Sequence, residues 1–194
     1  MDLKPRLLDN PWVTLAPLAS AHREATRAAA SDPAIWRHWP RAVLADFDAS
    51  FDRQLGEQAD GSWIIHSVLL PDGKLVGQTC YLALRPEHAG VEVGGTWYAA
   101  EAQGGFVNPA AKLLMLGNAF ECGAERVELK TDALNVRSRA AMLKMGAAFE
   151  GIHRRHMRRA DGTWRDTAWF SVIREDWPTV KAGLEARLAA HPIG

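Results

Sequence analysis

Val91-Glu92-Val93-Gly94-Gly95-Thr96-Trp97-Tyr98 reads as a β-strand, rich in β-branched and aromatic residues. Ala99 to Phe106 follows as a loop of small residues around Gln103-Gly104-Gly105. An amphipathic helix is expected next, from about Asn108 to Cys122. A glycine-bearing loop that enters a helix can aim backbone N–H groups at a phosphate, with the positive end of the helix dipole behind them. A glycine pair is also an ordinary turn. The segment by itself leaves both readings open.

On the N-terminal side, Trp12 to Leu15 is expected as a first strand, and Ser20 as the N-cap of a helix through Ala30. Ser31-Asp32-Pro33 breaks that helix. Ala34 to Pro40 is an irregular or short helical stretch, and a second helix is expected over about Asp46 to Gln58. Ser62 to Leu70 and Lys74 to Leu84 form a hairpin about Pro71-Asp72-Gly73. On the C-terminal side, Arg126 to Thr131 is a short strand. Asn135 caps a helix to Met145, with Gly146 as its stop. Phe149 to Arg158 and Thr163 to Ile173 form a second hairpin about Asp161-Gly162, and Glu175 to Ala189 is a last helix. This mixed order predicts an α+β (mixed α/β) fold with helices on both faces of a mixed sheet. No linker-like stretch interrupts residues 1–194, so a single domain is expected.

Composition narrows the function. Lys plus Arg and Asp plus Glu both number 23, and this zero net charge argues against nucleic acid as the main partner. The first ten residues contain no apolar core of a secretory signal. No apolar run approaches the roughly 20 residues of a membrane helix, so no membrane partner is expected. Cys80 and Cys122 have no metal-like spacing and read as buried free thiols in a reducing cytoplasm. No metal is expected.

The second half resembles the GNAT N-acetyltransferase superfamily, and within it the group that acetylates ribosomal-protein N-termini. The blocks that carry the resemblance are Glu92-Val93-Gly94-Gly95-Thr96-Trp97, Val107-Asn108-Pro109-Ala110-Ala111-Lys112, Arg126 to Asp132, and Asn135-Val136-Arg137-Ser138-Arg139-Ala140. Gly146-Ala147, Glu150-Gly151, Asp161-Gly162 and Arg165-Asp166-Thr167 follow in the family's order, as far as Trp177. The match is diffuse before residue 90. The resemblance implies a central mixed sheet splayed between two parallel strands, 91–98 and 126–131, with acetyl-CoA as the cosubstrate held in the gap. It implies a primary amine as acceptor, either a protein N-terminus or a small molecule, attacked directly in a ternary complex. Relatives often pair, so a homodimer is also expected. The alternative is a regulatory protein that kept the fold and binds acyl-CoA without catalysis.

The same resemblance sorts the site residues. Trp97, Gln103, Gly104, Gly105, Phe106, Val107, Asn135 and Ser138 are expected at the cofactor. The loop departs from the family pattern, because Gln103, Gly104 and Gly105 are contiguous and Phe106 stands where a small residue is usual. Glu92 falls where the superfamily often carries a glutamate base acting through water. Alternation puts it on one face with Gly94, and a solvent-facing or salt-bridged strand carboxylate is the rival reading. Ser138 matches a serine placed near the leaving sulfur; it equally completes a first helical turn after Asn135. His153 and His156 lie in His153-Arg154-Arg155-His156-Met157-Arg158-Arg159, and His156 is a rival base. That basic run also suits a solvated hairpin edge. Asp132 and Asp166 read as loop and hairpin caps, and Glu150 as a residue shaping the turn into its strand.

Overall fold

The computed structural model describes residues 1–191. Its strands are β1 (Leu8–Asp9), β2 (Thr14–Pro17), β3 (Trp63–Leu69), β4 (Leu75–Arg85), β5 (Gly90–Tyr98), β6 (Arg126–Asp132), β7 (Ala148–Arg158) and β8 (Trp164–Ile173). Its helices are α1 (Arg23–Ala29), α2 (Phe47–Ala59), α3 (Val107–Glu121), α4 (Val136–Met145) and α5 (Trp177–Ala189). One eight-stranded sheet runs in the order β1-β2-β3-β4-β5-β6-β8-β7. Every neighbour pair is antiparallel except β5 with β6. The expected mixed sheet with helices on both faces is therefore the fold observed.

Local chemistry explains most element ends. Asp46 accepts from Ala49 N–H at 2.9 Å and starts α2. Asn135 accepts from Ser138 N–H at 3.0 Å and starts α4. Gly146 ends α4 at φ +100°, a conformation that side chains disfavour. Ser20 differs from expectation. It opens a short 3₁₀ turn, Ser20–His22, and α1 begins only at Arg23. The His22 ring takes the capping role, its Nδ1 accepting from Ala19 N–H at 3.3 Å.

Two apolar layers hold the sheet. On one face Val91 and Val93 of β5, Val127 and Leu129 of β6, and Phe170 and Val172 of β8 pack against Met115 and Leu116 of α3 and Leu184 of α5. Tyr81 of β4 pins α3 by donating its hydroxyl to Met115 O at 2.6 Å. On the other face Leu18, Ile65 and Cys80 pack under Phe51 of α2. Burial of such side chains stabilises the fold by about 1.5–3 kcal/mol each.

Two irregularities shape the middle of the sheet. In β5, Cys80 pairs with Gly94 and Gln78 with Trp97, so Gly95 and Thr96 together oppose Thr79. Gly95 takes φ +54° at this bulge. In β7, His153 pairs with Thr167 and Met157 with Arg165, so three residues oppose Asp166. Arg155 lies there at φ +46°, and its N–H donates to Asp166 Oδ1 at 2.7 Å. Bulges of this kind re-aim side chains and bend the strand.

Candidate active site

The parallel pairing of β5 with β6 covers only Gly90–Glu92 against Arg126–Glu128. Both strands continue, to Tyr98 and Asp132, but they no longer pair with each other. β6 stays paired with β8 along its whole length. The edge of β5 that faces β6 is thus free from Val93 onward, and free backbone N–H and C=O groups need partners. This is the splay that the resemblance implied.

Glu92 stands where the pairing ends. It is 2 % exposed. Gly94 lies two residues on, over the same face, and a Cβ there would come within 2.6 Å of Glu92 Oε1. The glycine thus makes room for the carboxylate. Lys130 Nζ of β6 sits 2.7 Å from Glu92 Oε2. The two form a salt bridge at hydrogen-bond distance across the end of the β5–β6 pairing. Burial raises the Glu92 carboxyl above the usual carboxylate range, and Lys130 offsets part of the rise.

A charged cluster continues from Glu92 across the same face. Alternation puts Glu128, Lys130 and Asp132 of β6 beside Ser171, Trp169 and Thr167 of β8. Asp132 is buried and pairs with Arg159 at 2.6 Å. It also accepts from Leu134 N–H at 2.9 Å, so it is both the expected loop cap and half of an ion pair. Lys130 Nζ lies 5.1 Å from the centre of the Trp169 ring. His153 stacks on Trp169 at 4.8 Å. The bulge in β7 brings His156 round to the same face, where its Nδ1 lies 3.1 Å from Thr167 Oγ1. Burial, Lys130, His153 and Arg165 all push the His156 pKa down. Glu150 is an ion-pair partner and not only a turn residue. It pairs with Arg126 and accepts from Ser171 Oγ–H at 2.7 Å.

The expected cofactor residues divide in two. Gly104 takes φ +82° in a loop with open space around it, and α3 starts three residues later at Val107. The first N–H groups of that helix have no acceptor within it, and Pro109 has none to offer. Gln103 turns its side chain back, donating to Tyr98 O at 2.8 Å and accepting from Arg137 of α4. Asn135 and Ser138 stand together at the start of α4, next in the chain after β6. Trp97 points elsewhere. Its indole is buried against Trp36 at 5.4 Å and donates to Gln78 Oε1 at 3.1 Å. Only its backbone is left to face the splay. Phe106 packs half-buried near His191.

Sequence reasoning missed Lys130, Arg137, Arg159, Arg165 and Trp169. The alternating charges Glu128, Lys130 and Asp132, between the core residues Val127 and Leu129, were the available signal. Charged residues on a part-buried strand face need partners there, which marks that face for a closer look. A groove of about 320 Å³ also opens here. It lies between the 33–45 segment and the tip of the β7–β8 hairpin, and Trp36, Arg37, Trp39, Arg41 and Arg159 line it. Among the described residues, no group of three or more His, Cys, Asp or Glu side chains is placed to hold a metal.

Fold and splay together define an acetyltransferase of the GCN5-related type. The model of the acetyltransferase (GNAT) domain matches residues 13–148, and the chain belongs to that family. Members of the family use acetyl-CoA. No curated protein matches the chain in sequence. A protein from Thermus thermophilus assigned as an acetyltransferase is 37 % identical; 97 % of this chain covers 100 % of it, with a TM-score of 0.87. A GCN5-related N-acetyltransferase from Brucella melitensis is 27 % identical, over 95 % of this chain and 86 % of its own, with a TM-score of 0.85. RimJ of Mycobacterium smegmatis, in complex with CoA-disulfide, is 22 % identical over 94 % of each chain, with a TM-score of 0.79, and is similar in fold alone. No helix among the described residues is long and apolar enough to cross a membrane.

Proposed function

We propose that this chain is an acetyl-CoA-dependent N-acetyltransferase that acts on a primary amine by direct attack in a ternary complex. The observation that carries the reading is Glu92, a buried carboxylate paired with Lys130 at the point where β5 and β6 part.

The residues fit the cosubstrate. The free edge of β5 supplies backbone partners for a pantetheine arm, as an added strand would use them. Gln103 to Val107 and the first turn of α3 offer N–H groups and the positive dipole end to pyrophosphate. Arg137, held over this loop by Gln103, adds a cation for a phosphate. Acetyl-CoA supplies the activated acyl group.

Glu92 takes a proton from the acceptor's ammonium, directly or through water. A raised pKa brings this base nearer to neutral pH, where such a base works best. Lys130 favours the ionised carboxylate and offsets part of the effect of burial. The freed nitrogen lone pair attacks the thioester carbonyl carbon. A C–N bond forms, and the C–S electron pair leaves with sulfur. Ser138 donates a hydrogen bond to the developing thiolate, which ends as the thiol with the second nitrogen-bound proton. The groove lined by Trp36, Trp39 and Arg159 gives the acceptor its approach, since Arg159 joins that groove to Asp132 in the charged cluster.

Thiol release measured over an amine library, beside calorimetry with acetyl-CoA, tests this reading. Turnover with at least one class of amine is expected. Tight acetyl-CoA binding with no turnover of any amine would contradict it, and would favour a protein that binds acyl-CoA without catalysis.

A further inference from the structure

Arg165 of β8 is 6 % exposed, and its buried Nε has no hydrogen-bond partner among the described residues. The other cations of the cluster are all matched. Lys130 has Glu92, and Arg159 has Asp132. Alternation along β8 puts Arg165 on the same face as Thr167 and Trp169, and so on the face of Asp132, Lys130 and Glu92. Arg165 feels Asp132 and Glu92 as attractive charges, yet burial dominates and lowers its pKa. A buried guanidinium without a partner is costly, and the fold gains nothing visible from it.

One neighbour is also unsatisfied: Trp169 Nε1 is a buried donor without an acceptor. One face therefore presents two free donors beside the splay, next to the Lys130-paired carboxylate of Glu92. An ammonium complements Glu92. An anion complements Arg165 and Trp169.

Resting on the N-acetyltransferase reading, we infer that Arg165 binds a carboxylate of the acceptor, so that the substrate class is a small amino acid carrying amine and carboxylate in one molecule. An anion at Arg165 brings a counter-charge to the one cation of this face that lacks one, since Lys130 has Glu92 and Arg159 has Asp132. The planar fork of arginine also matches a carboxylate with two parallel hydrogen bonds.

The test compares glycine, β-alanine, 4-aminobutyrate and L-alanine with glycinamide and L-alaninamide, and with a peptide whose free N-terminus is followed by uncharged side chains. Values of kcat/KM are measured for the wild type, Arg165→Gln and Arg165→Lys. The wild type should favour at least one amino acid over its amide. Charge-assisted pairs of this kind correspond to about ten- to a hundredfold. The amide's amine is less basic and has more free base at neutral pH, so this bias works against the expected result. Arg165→Gln should erase the preference by slowing the amino acid at least tenfold more than the amide. Arg165→Lys should restore part of it. Acetyl-CoA affinity should be the same in all three proteins, and the Tm of Arg165→Gln without ligands should match or exceed that of the wild type. Equal use of amino acid and amide by the wild type, or a better uncharged peptide, overturns the inference and leaves N-acetyl transfer standing. A lower Tm with equal loss on both acceptors makes Arg165 structural and overturns it as well. No turnover of any amine overturns both readings.

Discussion

In the proposed reaction, single residues divide the chemistry between proton transfer and leaving-group stabilisation. Ser138 sits in the first turn of α4, where its N–H is already committed to Asn135 and its hydroxyl would serve the sulfur. Ser138→Ala should therefore lower kcat by about tenfold or more and change acetyl-CoA affinity little, because thiolate charge develops during the reaction. Steady-state kinetics beside calorimetry would show it, and equal turnover would reduce Ser138 to a helix-turn residue. Burial and the neighbouring Lys130, His153 and Arg165 favour the neutral form of His156, which can accept a hydrogen bond. Its Nδ1 is engaged with Thr167, which fits a group that shapes the acceptor site. His156→Ala should raise KM for the amine more than it lowers kcat.

At the scale of elements, β5 carries the main device. Its two central glycines have separate jobs. Gly94 has ordinary backbone angles and clears space for Glu92, whereas Gly95 takes a positive φ and faces Cys80, whose Sγ would lie 2.8 Å from an added Cβ. Gly94→Ala should displace the carboxylate and cut kcat/KM at least tenfold at little cost in Tm. Gly95→Ala should instead destabilise the fold by about 1–3 kcal/mol. Urea unfolding and initial rates on the two variants would separate these effects, and a reversed pattern would contradict the assignment of roles. The strand itself was legible from its β-branched and aromatic residues, and the limits of α4 from Asn135 and Gly146, because caps and stops are local chemistry. The bulges in β5 and β7 were not legible. They depend on what each residue meets across the sheet, and nothing adjacent in the chain marks Gly95 or Arg155 for a positive φ.

For the whole molecule, tertiary pairing decides what no local pattern shows. Lys130 reaches Glu92 across 38 positions of sequence only because β6 lies parallel to β5. Arg165 shares their face because β8 inserts between β6 and β7. Glu92 was legible as a candidate through its block, and Arg165 was quoted within another; its lack of a partner becomes visible only when the three strands lie side by side. Folding also sets the acid response. His66 is buried beneath β1 and β2, 3.0 Å from Arg6 O, and burial pushes its pKa down to about 4. In the unfolded chain a histidine titrates near ~6.5. The unfolded state thus binds the proton first. Stability should be complete above about pH 6.5 and should fall by up to about 3 kcal/mol as pH drops toward 4. Urea midpoints across that range should decline less steeply for His66→Leu than for the wild type, and equal slopes would refute the assignment. β7 is an unpaired sheet edge with Phe149 and Ile152 exposed, and a dimeric mass by light scattering at micromolar concentration is expected. A monomeric mass would contradict it. The central claim is that the fold delivers a buried carboxylate to the splay as the base. It is tested most directly by kcat/KM against pH for the wild type and Glu92→Gln with one good amine. The wild type should show an acid limb above the usual carboxylate range, and Glu92→Gln should lose that limb and about 100-fold or more of the rate, with acetyl-CoA affinity unchanged. Near-normal activity in Glu92→Gln, with the acid limb intact, would contradict it.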